Sequence, residues 1–159
     1  METLIAYTHI TASVMGLITS TIVLVAAKGT QFHRKTGYVF AVVMLIINIS
    51  ALMMYRLTGK FNFLHIFAII SLASLIRGML PAMRRNSANW LRTHITGMVG
   101  AALGVWAAGI AELITRVLRH HLTPTLTITL AVAVGIIFFF VILYLNIKYI
   151  KKMDSYRTS

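Results

Sequence analysis

Five long apolar runs alternate with short polar joints along the 159 residues of the chain. An α-helix needs about 20 mostly apolar residues to cross the hydrocarbon core of a bilayer, and the runs are of this length. The predicted spans cover residues 3–27, 37–55, 62–79, 93–115 and 126–147. The joints leave no room for a separate soluble domain. The pattern therefore predicts one all-α domain over residues 1–159, an integral membrane helical bundle of five transmembrane helices.

Composition supports the membrane class. Apolar residues make up 58% of the chain and charged residues only 11%, and a soluble domain of this size could not bury so much apolar surface. The first run lacks a basic segment before it and is too long for a signal peptide, so we expect it to remain as an anchor. The absence of cysteine excludes disulfides and thiolate ligands. Asn48-Ile49-Ser50 matches the glycosylation sequon, but it lies within a predicted span and is set aside.

The lysines and arginines that give the chain its net charge of +12 are divided unequally between the two sides of the membrane. Eleven cations belong to one side: Lys28, Arg34, Lys35, Arg77, Arg84, Arg85, Arg92, Lys148, Lys151, Lys152 and Arg157. The other side has four, namely Arg56, Lys60, Arg116 and Arg119. The positive-inside rule then places the N-terminus outside and the C-terminus in the cytoplasm of a bacterial or archaeal plasma membrane. Because a nucleic-acid binder would gather such charge on one reading surface, we expect a lipid partner and no nucleic acid.

Four histidines occur one per helix, at alternating ends of the first four spans. His9 and His65 are expected at an outer level, and His33 and His94 at an inner level. Helical rise puts roughly 20 Å between the two levels. An imidazole in hydrocarbon is costly and usually has a partner or a role. The pattern is typical of a four-helix core that holds two metal centres, although each histidine could instead hydrogen-bond a neighbouring helix.

The fourth span also carries a carboxylate. Glu112 follows His94 by five helical turns, so both lie on one face. Small residues occupy that face between them: Gly97, Ala101, Gly104 and Ala108. Such a stripe leaves room for a bulky group, or lets two helices approach closely. Glu112 could join His9 and His65 in a divalent metal site, or form a plain ion pair with Arg116 one turn further on.

Arginines lie beside both inner histidines. Arg34 follows His33 directly, and Arg92 precedes His94 by two residues. Guanidinium groups pair with carboxylates and phosphates, so these arginines could hold the propionates of an inner haem or a lipid headgroup. The positive-inside bias explains them without any ligand. At the other end of the fourth span, we interpret the adjacent residues His120 and His121 as interfacial.

Several segments carry a family resemblance. KGTQFHRKTGYVF, FNFLH and RTHITGM resemble a bacterial domain-of-unknown-function family of predicted membrane proteins that has a His-Arg-x-x-Gly signature. The signature residues here are His33, Arg34 and Gly37, and the earlier His9 and Gly16 extend the likeness. The resemblance covers about the first four spans and implies no established activity.

A looser resemblance concerns the histidines alone. Their pattern is similar to that of the di-haem b-type transmembrane cytochromes, including the ascorbate-reducible class, which use histidine pairs from alternate helices of a four-helix core. This likeness implies an outer haem b held by His9 and His65 and an inner one held by His33 and His94. The position of His33, in the joint or in the first turn of the second helix, departs from that pattern.

Three functions remain open from the sequence. The first is electron transfer across the membrane between a quinol or soluble redox partner and an acceptor on the other face. The second is an outer site for zinc or another divalent metal, built from His9, His65 and Glu112 and serving hydrolysis or metal transport. The third is a cofactor-free scaffold or assembly protein, and a homo-oligomer is compatible with each. The first is favoured because it employs all four histidines.

Overall fold

The computed structural model of the protein describes residues 2–54, 63–117 and 120–158. Within these ranges the chain forms five α-helices: α1 (Glu2–Val25), α2 (Gln31–Met53), α3 (Phe63–Arg84), α4 (Trp90–Val117) and α5 (Pro124–Thr158). All five are long and apolar enough to cross a membrane. The prediction of an all-α membrane bundle with five spanning helices is therefore confirmed.

Several helices extend beyond the apolar runs that predict them. Helix α2 begins at Gln31, before the run that starts at position 37. The cause is an N-cap, since Thr30 Oγ1 accepts a hydrogen bond from the backbone nitrogen of His33 at 3.1 Å. His33 therefore lies in the first turn of α2. Helix α3 continues past position 79 to Arg84 with Pro81 inside it. Helix α5 continues past position 147, because polar residues such as Lys148 and Lys151 extend a helix without adding to its apolar run.

Helices α1 to α4 form a closed four-helix core, and α5 lies outside it. Each of α1, α2 and α3 packs against the next helix, and α4 closes the ring by packing against α1. Helices α1 and α3 therefore lie on one diagonal of the core, and α2 and α4 on the other. Helix α5 packs against α4. The predicted four-helix core is confirmed, and alternate helices are the ones that face each other across it.

The middle of the core is apolar and closely packed. Phe40 and Met44 on α2 are fully buried, and Met98 and Ala102 on α4 belong to the same cluster. Large apolar side chains also face outward on every helix, among them Ile10, Val42, Ile70, Leu113 and Phe140. An apolar outer surface of this extent is typical of a protein surrounded by lipid.

The small residues of α4 serve two different purposes. A Cβ atom on Gly97 would collide with backbone atoms of Gly78 and Ser74, so α3 and α4 touch backbone to backbone at this crossing. A Cβ atom on Gly104 would meet nothing within 4 Å. The stripe therefore provides close helix packing at Gly97 and open space at Gly104.

Candidate functional site

The two histidine levels lie at opposite ends of the four-helix core. His9 and His65 are placed near the start of α1 and α3, in what we call the His9 end, and both are buried. His33 lies in the first turn of α2 and His94 in the second turn of α4, in what we call the His33 end. Because successive helices run in opposite directions, each end of the core receives one histidine from each helix of a diagonal.

A cavity of about 110 Å³ lies inside the core at the His9 end. All four helices of the core line it, and Gly104 opens onto it. Its polar lining consists of His9, Ser13, Asn48, His65, Ser71, Glu112 and Arg116. The volume has room for several water molecules or a hydrated ion. The structure thus brings His9, His65 and Glu112 to one cavity.

His9 contacts polar groups through both ring nitrogens. Nδ1 lies 3.0 Å from Ser50 Oγ, and Nε2 lies 3.6 Å from Glu112 Oε2. Ser50 Oγ donates to the carbonyl oxygen of Ile46 at 2.6 Å, so it accepts from His9 and Nδ1 carries a proton. A further proton, on Nε2 or on the carboxyl group, is needed for His9 and Glu112 to attract each other.

Glu112 lies between the buried imidazole of His9 and the exposed guanidinium group of Arg116. Its Oε1 accepts a hydrogen bond from Arg116 Nε at 2.7 Å, which is the i,i+4 ion pair considered from the sequence. The carboxylate is partly buried, whereas the Arg116 side chain is more than half exposed. The two contacts leave Glu112 bridging the interior of the core and its surface.

Sequence reasoning missed Ser50 and Asn48 as parts of this end of the core. Both are buried, and Asn48 lines the cavity while its Nδ2 donates to the carbonyl oxygen of Met44 at 2.7 Å. In the sequence the two residues stand out only as a glycosylation sequon. The available signal was a pair of polar side chains close together in an apolar helix, because such groups need partners inside the bundle.

The other histidine pair lies at the His33 end. His33 and His94 are close enough to interact electrostatically. His94 Nδ1 donates to the carbonyl oxygen of Gly78 at 2.8 Å, which leaves Nε2 as the nitrogen with a free lone pair. His33 Nδ1 is buried and has no hydrogen-bond partner within the described part of the chain. The pair therefore offers unused nitrogen lone pairs inside the protein.

Lys28 lies beside these two histidines, just past the end of α1. Its Nζ donates to the carbonyl oxygens of Val23 and Leu24, at 2.7 and 2.6 Å, and so caps the last turn of the helix. Burial lowers the pKa of the Lys28 amine from its ordinary value. The same amine contributes positive charge near His33 and His94.

The arginines considered beside the inner histidines have other surroundings. Arg92 Nη2 lies 2.9 Å from Asp154 Oδ2, so it ties the start of α4 to the end of α5. Arg34 lines a separate, open cleft between α2 and α3. His120 and His121 are exposed.

The His9 end does not form a ready set of metal ligands. Among the residues that the structure describes, no three histidine or carboxylate groups are arranged to hold a metal ion. His9, His65 and Glu112 share the cavity, and a metal would require their side chains to converge further.

Comparison with known sequences gives a family. The family described as predicted membrane protein, DUF2306, matches residues 6–149. The chain belongs to the DUF2306 family. The match includes both histidine levels and every residue that lines the cavity at the His9 end. Neither a curated protein nor a solved structure matches this DUF2306 protein.

Proposed function

We propose that this DUF2306 protein carries electrons across a membrane with the help of two haem b groups, one at each histidine level. The observation that supports the proposal is the pairing of histidines across both diagonals of the core. His9 on α1 and His65 on α3 line one cavity. His33 on α2 and His94 on α4 lie at the opposite end, near enough for the charge of one to affect the other. Four histidines without a shared role would form two such pairs only by coincidence.

The histidines at the His33 end fit haem ligation by their donor atoms. A ligating histidine usually donates its second ring N–H to a carbonyl or carboxylate oxygen, and His94 does so to Gly78. The buried Nδ1 of His33 lacks a hydrogen-bond partner among the described residues, as expected of a nitrogen whose partner is not a protein group. These residues would hold the inner group.

The His9 end could hold a haem only after its side chains rearrange. The cavity of about 110 Å³ is smaller than the roughly 300–1,000 Å³ typical of pockets for organic ligands. His9 Nε2 also faces Glu112. Ligation by His9 and His65 therefore requires the Glu112 contact to open and the cavity to widen, and the open space beside Gly104 allows movement in that direction.

The chain supplies the ligands and the insulation for electron transfer. A haem iron held by two histidines has no open position and exchanges single electrons. Phe40, Met44 and Met98 fill the layer between the two levels and exclude water from it. A quinol or soluble redox partner would be oxidised at one face of the membrane, and an acceptor would be reduced at the other. No acid–base step is assigned to the histidines.

The His9–Glu112 contact supports a second proposal, in which the His9 end binds zinc or another divalent cation. Two imidazoles and one carboxylate are a known zinc ligand set, and they suit hydrolysis or metal transport. His9 and Glu112 are 3.6 Å apart, and His65 lines the same cavity. The cavity is large enough for an ion with its water molecules. If neither cofactor is bound, the remaining proposal is a cofactor-free scaffold or assembly protein.

Electron transfer can be measured directly in vesicles. Purified protein is incorporated into liposomes that contain ferricyanide, and ascorbate is added outside. We expect the trapped ferricyanide to be reduced several-fold faster than in protein-free vesicles, and His94→Ala to remove the difference because one level loses a ligand. His121→Ala, at an exposed position outside both pairs, is the control and should behave as wild type. Wild-type vesicles no faster than protein-free ones would refute the proposal.

We also propose that the N-terminus lies outside a bacterial or archaeal plasma membrane. The eleven cations that the sequence assigns to one side lie at the His33 end, and Arg116, one of the four assigned to the other side, lies at the His9 end. Of those four, Arg56, Lys60 and Arg119 lie outside the described residues. The positive-inside rule makes the His33 end cytoplasmic.

Reporter fusions test this orientation. Alkaline phosphatase, which is active only outside the cytoplasm, should be inactive when fused after Ser159 and active when fused after His121, in the joint between α4 and α5. The opposite pair of activities would show that the His33 end faces outward.

A further inference from the structure

We infer that an open basic cleft at the His33 end binds the phosphate headgroup of an anionic phospholipid. The cleft lies between the start of α2 and the end of α3 and has a volume of about 380 Å³. Its walls carry Arg34, Lys35 and Arg85, together with Gln31, Tyr38 and Met83. We call these six residues the basic cleft.

The chain has no spare carboxylate side chain to neutralise the basic cleft. Its sequence contains only three acidic residues. Glu112 is paired with Arg116 at the other end of the core, and Asp154 is paired with Arg92. Glu2 begins α1, also at the far end. An anion that pairs with the three cations of the cleft is therefore not a side chain of this protein.

Arg85 is held on the wall of the cleft by its surroundings. Its backbone has a φ of 48°, in the left-handed region that non-glycine residues adopt only at a cost. The guanidinium group lies 5.1 Å from the ring centroid of Trp90, and Nε donates to the carbonyl oxygen of Ala82 at 3.4 Å. A cation fixed in this way loses little freedom when it binds a phosphate.

The start of α2 adds a second reason for an anion. Arg34 and Lys35 lie in the first turns of this helix, where the partial positive charge of the helix dipole disfavours cations. A phosphate group beside them would offset both the dipole and the like charges. In the basic cleft, cations lie beside each other and beside the positive end of the helix dipole. One bound anion would offset both of these unfavourable interactions.

The apolar part of the cleft favours a lipid over free phosphate. Tyr38 and Met83 are exposed on its walls, and Phe32 is exposed in the first turn of α2. Tyr38 and Met83 would contact acyl chains where the membrane begins, while the cations contact the headgroup. Basic pockets between transmembrane helices on the cytoplasmic side are known sites for anionic headgroups. This inference rests on charge and position and does not depend on any haem.

The test compares two variants that remove the same charge from the same end of the core. R34Q/K35Q/R85Q neutralises the cleft, and K148Q/K151Q/K152Q neutralises three exposed lysines near the end of α5. Binding of phosphatidylglycerol and of phosphatidylcholine to detergent-purified protein is measured by native mass spectrometry. We expect wild type to prefer phosphatidylglycerol, the cleft variant to bind it about tenfold more weakly, and the α5 variant to change less than about twofold.

Two further arms keep the test decisive. Millimolar inorganic phosphate should leave bound phosphatidylglycerol in place, and its complete displacement would show a site for free phosphate instead of a lipid. If R34Q/K35Q/R85Q fails to fold, Lys35→Gln alone should still weaken phosphatidylglycerol binding. Lys35 is exposed, so its replacement should not affect folding. Equal losses in the cleft and α5 variants, or no preference for phosphatidylglycerol in wild type, would overturn the inference.

Discussion

Replacement of His65 by alanine should remove one of two haem components from the absorption spectrum of the purified protein. Glu112→Gln should leave both components, because the carboxylate contacts His9 and is not itself a ligand in the di-haem proposal. His94→Ala should remove the other component. Difference spectra of the reduced and oxidised protein, with haem content per chain, are the measurement. A bis-histidine iron that loses one ligand changes its spectrum even where some haem remains bound.

His65→Ala and Glu112→Gln also distinguish the two proposals for the His9 end. If a divalent metal is bound there, His65→Ala and Glu112→Gln should lower its content equally, and the protein should be colourless throughout. His120→Ala, at an exposed position, is the matched control and should change neither haem nor metal content. Loss of both haem components in Glu112→Gln would contradict the assignment of the histidines alone as ligands.

Gly97→Ala should destabilise the protein strongly, whereas Gly104→Ala should not. A Cβ atom at position 97 would collide with the backbone of Gly78, which cannot move as a flexible side chain would, and a Cβ atom at position 104 has open space. Overpacking of this kind costs about 1–3 kcal/mol or more. Both glycines lie in α4, so any effect of alanine on helix propensity is common to the two variants.

Thermal unfolding in detergent, followed by circular dichroism, gives the comparison. The midpoint for Gly97→Ala should fall well below that of wild type, and the midpoint for Gly104→Ala should equal or exceed it. Equal midpoints for the two variants would contradict the backbone contact between α3 and α4.

The helical architecture could be predicted from the sequence because it depends on local features. Five apolar runs of membrane length are sufficient to define five spanning helices, and histidines at alternating ends follow from the up-and-down order. The apolar run places the start of α2 too late because the N-cap, Thr30, lies in a polar segment that hydropathy ignores. Because of this cap, α2 begins at Gln31 and includes His33.

The details of the site depend on distant parts of the chain, which the sequence pattern does not connect. Arg92 lies close to His94 in sequence, yet its partner is Asp154, 62 residues away, because α5 packs against α4. Ser50 reaches His9 across the interface between α1 and α2. Cavity volume also depends on how four helices meet. Small residues in α4 are visible in the sequence, but only the packing distinguishes those that touch a neighbouring helix from those that leave open space.

The most direct test of electron transfer by this protein is the absorption spectrum of the wild type, purified in detergent from haem-replete cells, with metal analysis of the same sample. The di-haem proposal predicts a sharp α-band in the dithionite-reduced protein, about two haems per chain and matching iron content. A colourless preparation without iron would contradict it. Zinc or another divalent metal in that preparation would then favour the site at His9, His65 and Glu112.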